Sequence, residues 1–136
     1  MIFVDTCVWS LAFRRSQSEF KTKEVVQLQE LLIHDAPIVV AGIVLQELLS
    51  GLREEAQFKR LQALLADFPL ILATQTHHVL AAEIANRCRR KGVATSATDC
   101  LIAASCIDYD APLLTADKDF IQMAACCDLK LYQTND

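Results

Sequence analysis

The sequence predicts a single α/β domain, a three-layer α/β/α sandwich with a central parallel sheet of four to five strands. Three observations carry this. Short apolar stretches rich in β-branched residues (Met1–Thr6, Pro37–Ala41, Pro69–Leu72, Pro112–Thr115) alternate with longer segments of helical periodicity. The first stretch is apolar throughout, as strands are when both faces of a parallel sheet are covered. Only three Gly and three Pro occur in 136 residues, with no repeats and no linker-like composition, so residues 1–136 suit one domain.

In chain order, Met1–Thr6 is too short for a helix and stops at Asp5, a residue strands disfavour. Cys7–Phe13 reads as a short helical turn, followed by the polar patch Arg14–Ser18. Ser18-Glu19 can open a helix reaching about His34, with Val25, Val26, Leu28, Leu31 and Leu32 as its apolar stripe. Pro37–Ala41 is the second strand, since Pro suits a strand's first position. Gly42 turns the chain into a helix over Ile43–Ser50, which carries Glu47 and ends at Gly51. A further helix is expected over Glu54–Asp67, then a third strand at Pro69–Leu72. Thr76 can cap a helix over His77–Arg90, whose last turn holds Arg87, Arg89 and Arg90, with Lys91 following. Basic residues there complement the helix dipole, and a phosphate-binding role ranks second. Ser96-Ala97-Thr98-Asp99 precedes the apolar run Cys100–Ile107, Pro112–Thr115 is the fourth strand, and Leu129–Tyr132 is a candidate fifth, at the edge.

Composition excludes several classes. Hydrophobic residues make up 53% of the chain, yet no apolar run approaches bilayer-spanning length. The start of the chain lacks a basic region followed by a long apolar segment, so a cytoplasmic protein is expected. The six cysteines form no C-x-x-C pair, which points to reduced thiols acting as small hydrophobes. His77-His78 is a poor metal pair, because neighbours on a helix point apart. A formal net charge of −4 argues against a broad nucleic-acid surface held by charge alone. It suits a carboxylate-lined pocket whose field a bound cation inverts.

Four acids are the candidate site. Asp5 ends the first strand, and Asp117 follows the fourth by two residues, so both can stand at the carboxyl edge where open α/β sheets bind ligands. Asp99 and Glu47 lie on helices beside that edge. Each has a structural explanation as well: Ser96-x-x-Asp99 is a capping box, Asp117 and Asp119 suit a first turn, and Glu47 suits a solvated helix face. Asp5 resists such an account, since acids rarely follow a buried central strand. Four uncompensated carboxylates in one place repel, and a hard divalent cation, Mg²⁺ or Mn²⁺, resolves the repulsion.

Taken together these stretches resemble the PIN-domain ribonucleases, and most closely the VapC-type toxins of bacterial toxin–antitoxin pairs. Met1–Trp9 is similar to the family's opening strand and D-T-S-V-W segment, and Gln46–Gly51 to its E-L-x-x-G helix. Ser96–Ala103 is similar to S-x-x-D-x-x-I-A, and Leu113–Phe120 to L-x-T-x-D-x-D-F. The motifs occur in the family's order and span essentially the whole chain. Cys7 stands where the family more often has Ser or Asn, and Gly42 and Val44 where hydroxyl residues are common. Those departures bear on the hydrogen bonds that orient Asp5 and Glu47.

The resemblance implies a PIN-like fold and Mg²⁺-dependent cleavage of RNA leaving a 5′-phosphate and a 3′-hydroxyl. Asp5, Asp99 and Asp117 would hold the ion, with Glu47 as ligand or as orienter of the attacking water. Thr6, Thr115 and Asp119 are candidates for supporting or substrate contacts. Arg14, Arg15, Lys21 and Lys23 are candidates for local positive potential, with a solvated surface of equal weight. A homodimer and a small cognate antitoxin are implied too, with Val8–Phe13 as contact surface or as core. A haloacid-dehalogenase-like phosphatase needs an Asp at the place of Cys7, and a response-regulator receiver needs paired acids where Val4-Asp5-Thr6 stands. The rival of another class is a non-catalytic PIN-fold binding module; a PIN nuclease of RNA processing is the rival within the class.

Overall fold

A computed structural model of the chain describes residues 1–14 and 21–134, with Arg14 as backbone alone. Four strands form one parallel sheet: β1 (Ile2–Val4), β2 (Ile38–Ala41), β3 (Leu70–Ile71) and β4 (Leu113–Leu114), in the order β3-β2-β1-β4. Ile2 pairs with Ile38, Phe3 with Val39 and Leu113, and Val40 with Leu70. β1 is therefore central, and Phe3 and Val4 are almost fully buried, as its unbroken apolar sequence requires. Helices cover the sheet to complete the expected α/β/α sandwich.

Seven helices are described: α1 (Thr6–Arg14), α2 (Lys23–Ile33), α3 (Gly42–Ser50), α4 (Glu55–Leu65), α5 (Gln75–Arg90), α6 (Ala97–Asp108) and α7 (Lys118–Ala124). Several limits differ from the sequence reading for local reasons. The expected turn at Cys7–Phe13 is a nine-residue helix, because Asp5 O accepts from both Val8 N and Trp9 N and starts it early. The expected opening of α2 at Ser18-Glu19 lies outside the described residues. Within them Thr22 caps α2, its hydroxyl accepting from Val25 N at 3.3 Å.

Thr74, not Thr76, caps α5. Its hydroxyl accepts from His77 N, and His77 Nδ1 accepts in return from Thr74 N at 3.0 Å. This reciprocal pair takes the place of the usual Glu, a substitution periodicity does not reveal. His77 is buried, and its Nε2 lies 2.7 Å from Asp108 Oδ2. The expected fifth strand is a single parallel bridge, Leu113 to Leu131, rather than a ladder.

Val8 and Trp9 lie in the core, with Trp9 stacked on Phe13 and edge-on to Phe68. That part of α1 is interior, which settles Val8 and Trp9 as core residues rather than contact surface. Among the described residues no helix is long and apolar enough to cross a membrane.

Candidate metal centre at the carboxyl edge of the sheet

Asp5 is fixed from all sides. Its backbone N donates to Leu114 O of β4 at 2.9 Å, continuing the sheet one residue past β1. Its side chain is only 4% exposed, uncommon for an acid without a cationic partner. Three donors hold the carboxylate: Thr6 N to Oδ1 at 2.8 Å, Thr115 Oγ1 to Oδ2 at 2.9 Å and Cys7 Sγ to Oδ2 at 3.0 Å. Cys7 thus supplies, as a weaker thiol donor, the bond that a Ser would have made there. Burial next to Asp5 pushes the Cys7 thiol up to about 12, so it stays protonated and donates.

β4 ends beside β1, and Thr115 passes the chain from strand to α7. Its hydroxyl also accepts from Asp117 N at 3.0 Å, and Asp117 in turn caps α7 by accepting from Asp119 N at 2.9 Å. Asp119 lies in the first turn of α7 as expected, while Asp117 is the cap preceding that turn rather than a member of it, a role that coexists with a place in the notch. Asp99 enters on the first turn of α6, where Ser96 caps by accepting from Asp99 N at 3.1 Å.

One oxygen from each of Asp99, Asp117 and Asp119 falls within 4.8 Å of the others, Asp99 and Asp117 half-buried and Asp119 exposed. Asp119, which the sequence pattern assigned a supporting role, stands in this tightest group. Asp5 lies behind it, close enough that burial and then Asp5 raise the Asp99 carboxyl to about 6, with smaller contributions from Asp117 and Glu47. Burial likewise raises Asp5, outweighing its hydrogen bonds from Cys7, Thr115 and Thr6, and Asp117 adds to the effect. Glu47 is exposed on α3 and accepts from Thr6 Oγ1 at 2.8 Å, which ties α3 to the start of α1. A small cleft lined by Thr6, Ser10, Phe13, Glu47 and Leu52 opens beside it.

Among the described residues none of these acids has a Lys or Arg within ion-pair distance. The donor set is oxygen alone, which fits a small hard divalent cation and no soft one. The hydroxyl and thiol that hold Asp5 are the kind of supporting bonds that aim a ligand carboxylate. Of the candidate cations for substrate, Lys21 donates to Gln29 at 3.2 Å, while Arg15 lies outside the described residues. Arg87, Arg89 and Arg90 occupy the last turn of α5, as their reading as helix-dipole partners requires, and Lys91 follows as its cap.

The PIN-domain family model matches residues 2–125, and the chain belongs to that family. No curated protein matches the sequence significantly. Among solved structures the fold is similar to VapBC2 from Rickettsia felis bound to a DNA fragment from its promoter, at 23% identity and a TM-score of 0.77. That alignment covers 97% of this chain and 98% of the other. It is similar to FitAcB from Neisseria gonorrhoeae at 22% identity and a TM-score of 0.75, covering 98% and 97%. It is also similar to the sarcin–ricin loop cleaving toxin VapC20 from Mycobacterium tuberculosis, at 18% identity and a TM-score of 0.67, covering 95% and 98%. Identities at this level speak to the fold.

Proposed function

We propose that this PIN domain is a metal-dependent endoribonuclease and the toxin of a toxin–antitoxin pair. The observation that carries the reading is the group Asp99, Asp117 and Asp119 within 4.8 Å, backed by the buried and firmly held Asp5. Burial, with neighbouring acids adding to it, raises the Asp5 and Asp99 carboxyls, a cost that a bound cation would offset.

Asp5, Asp99 and Asp117 would hold Mg²⁺, or Mn²⁺, directly or through water, with Asp119 beside them. When bound, the ion lowers the pKa of a coordinated water and offsets charge developing on the phosphate. Thr115 and Cys7 keep the Asp5 carboxylate from rotating, and Thr6 keeps Glu47 at the margin of the notch. Glu47, outside the tightest group, orients the attacking water. Water oxygen bonds to phosphorus as the bond to the 3′ oxygen breaks, and the proton lost by water balances the one gained by the 3′-hydroxyl. The products are a 5′-phosphate and a 3′-hydroxyl.

The toxin role and the partners, a small antitoxin and a second copy of the chain, draw support from the family and from fold similarity to toxin–antitoxin complexes. An apolar groove lined by Ile43, Ala81, Ala85 and Leu101 offers a face for one of them. Purified protein incubated with labelled RNA and Mg²⁺, beside EDTA-treated protein and the Asp5→Asn and Asp99→Asn variants, tests the activity. Cutting by wild type alone supports the reading; equal cutting in every sample, or in none, overturns it.

A further inference from the structure

The last turn of α5 and the residue after it carry Arg87, Arg89, Arg90 and Lys91, four cations in five positions of a chain with net charge −4. Arg89, Arg90 and Lys91 are exposed and Arg87 half-buried. Among the described residues none is within ion-pair distance of a carboxylate; Arg89 reaches only Asn86, at 3.1 Å. Arg87, Arg89 and Arg90 lie in the last turn, where they complement the helix dipole, and the exposed guanidinium groups of Arg89 and Arg90 keep donors for a further partner.

Topology decides where this cluster lies. α5 and α6 pair along their lengths and run antiparallel. At one end His77 of α5 meets Asp108 at 2.7 Å, with its ring tilted against that of Tyr109 at 5.7 Å between centroids. At the other end Cys88 of α5 neighbours Cys100, the residue that follows Asp99, as well as Cys126 and Cys127 beyond α7. Val93 N returns to Cys88 O at 2.8 Å, so the chain turns back at once toward α6. The basic end of α5 therefore stands at the same end of the molecule as Asp99, Asp117 and Asp119. Asp119 stands in the first turn of α7 and Cys126 and Cys127 lie just past its last, so about 10 Å of helix runs between Asp119 and the cysteines beside Cys88. That is one or two nucleotide steps of an extended strand.

We propose that Arg89, Arg90 and Lys91, flanked by Arg87, form a rim that holds the phosphate backbone of RNA as it leads into the carboxylate notch. The proposal rests on the nuclease reading, which supplies the reason for a polyanion to reach a notch of acids. An acidic protein on its own would repel RNA, and a local positive rim beside the cation site resolves that conflict. Exposed, planar guanidinium groups with unused donors match phosphate oxygens, and a backbone contact of this kind positions the strand without reading its sequence.

The test compares wild type with the triple variant Arg89→Gln/Arg90→Gln/Lys91→Gln, and with Lys130→Gln as a charge control. Leu113 N bonds Lys130 O at the start of β4, which puts Lys130 at the opposite edge of the sheet. Affinity for a labelled 20-nucleotide oligouridine is measured with Ca²⁺ in place of Mg²⁺ over a range of salt, and KM and kcat with Mg²⁺. The triple variant is expected to bind at least about tenfold more weakly at moderate salt, with its salt slope lower by roughly 2, about 0.7 per lost contact. KM rises by a similar factor while kcat stays within about twofold, and Lys130→Gln changes neither. Arg89→Lys/Arg90→Lys keeps the charge and therefore the salt slope, with an affinity within about threefold of wild type, which separates the effect from misfolding. Unchanged affinity and salt slope in the triple variant overturn the rim. Unchanged RNA binding together with lost binding of polyglutamate would reassign the cluster to an acidic protein segment and overturn it as well. If wild type cuts no RNA, the nuclease reading fails separately, and the oligouridine affinities still decide the rim.

Discussion

Thr115 Oγ1 donates to Asp5 Oδ2 at 2.9 Å and accepts from Asp117 N at 3.0 Å, so one hydroxyl fixes two acids that lie 112 positions apart in sequence. That relationship links the central strand to the turn after the last one. It also explains why Thr follows β4: a side chain that both donates and accepts is needed there, and a carboxylate could only accept.

Thr115→Val keeps the shape and removes both bonds. Cleavage is expected to fall 10- to 100-fold, the range for loss of a bond that orients a metal ligand. Stability falls by only about 1 kcal/mol. Initial rates at saturating Mg²⁺ and a urea melt measure the two together; an unchanged rate would remove Thr115 from the site.

Cys7 separates donor from bulk. Cys7→Ser leaves a hydroxyl in reach of Asp5 and is expected to match or exceed wild-type activity. Cys7→Ala leaves Asp5 with two donors and is expected to lose roughly tenfold in Mn²⁺ affinity. Titration calorimetry distinguishes them, and equal affinities in all three proteins would assign Cys7 to packing alone.

The raised carboxyls give the metal-free protein a particular response to pH. The Asp99 carboxyl sits at about 6 when folded and at its ordinary 3.8 when unfolded, so its protonated form is favoured by folding. Its contribution to stability is complete below about 3.8 and disappears as pH rises through about 6. Asp5 is shifted in the same direction. The melting temperature of protein in EDTA should therefore be higher near pH 5 than at pH 8. The half-exposed position of Asp99 limits its share to on the order of 1 kcal/mol. Asp99→Asn flattens the dependence, and Mg²⁺ raises the melting temperature at pH 8; a profile identical in wild type and Asp99→Asn contradicts the assignment.

Gly92 has φ +75°, in the left-handed region, and turns the chain from α5 toward the Asp99 helix. Nothing lies within 4 Å of where a Cβ would be, so the backbone alone sets the cost of a side chain. Gly92→Ala is expected to destabilise by about 1 kcal/mol. A denaturant melt reads this directly.

Much of this was legible in the sequence. Asp5 could be found because an acid directly after an apolar strand is conspicuous, and Asp117 because it follows a second strand closely. That Asp119 stands beside Asp99 and Asp117 is not legible in the spacing, since Asp117's use as helix cap, which draws Asp119 N to its carboxylate, depends on backbone geometry. The Thr74–His77 cap was missed because an imidazole replaces the usual Glu. Where Arg87–Lys91 stand is not legible in the sequence: it depends on α5 and α6 running antiparallel, with buried His77 at the start of α5 meeting the exposed Asp108 at the end of α6.

Diffraction from crystals soaked in Mn²⁺, recorded at a wavelength where manganese scatters anomalously, tests the central claim most directly. An anomalous peak is expected in the notch, held by Asp5, Asp99 and Asp117 directly or through water, with Asp119 beside it. The peak should be lost in Asp99→Asn. A well-diffracting wild-type crystal with no peak in the notch, or with its peaks elsewhere on the surface, would contradict it.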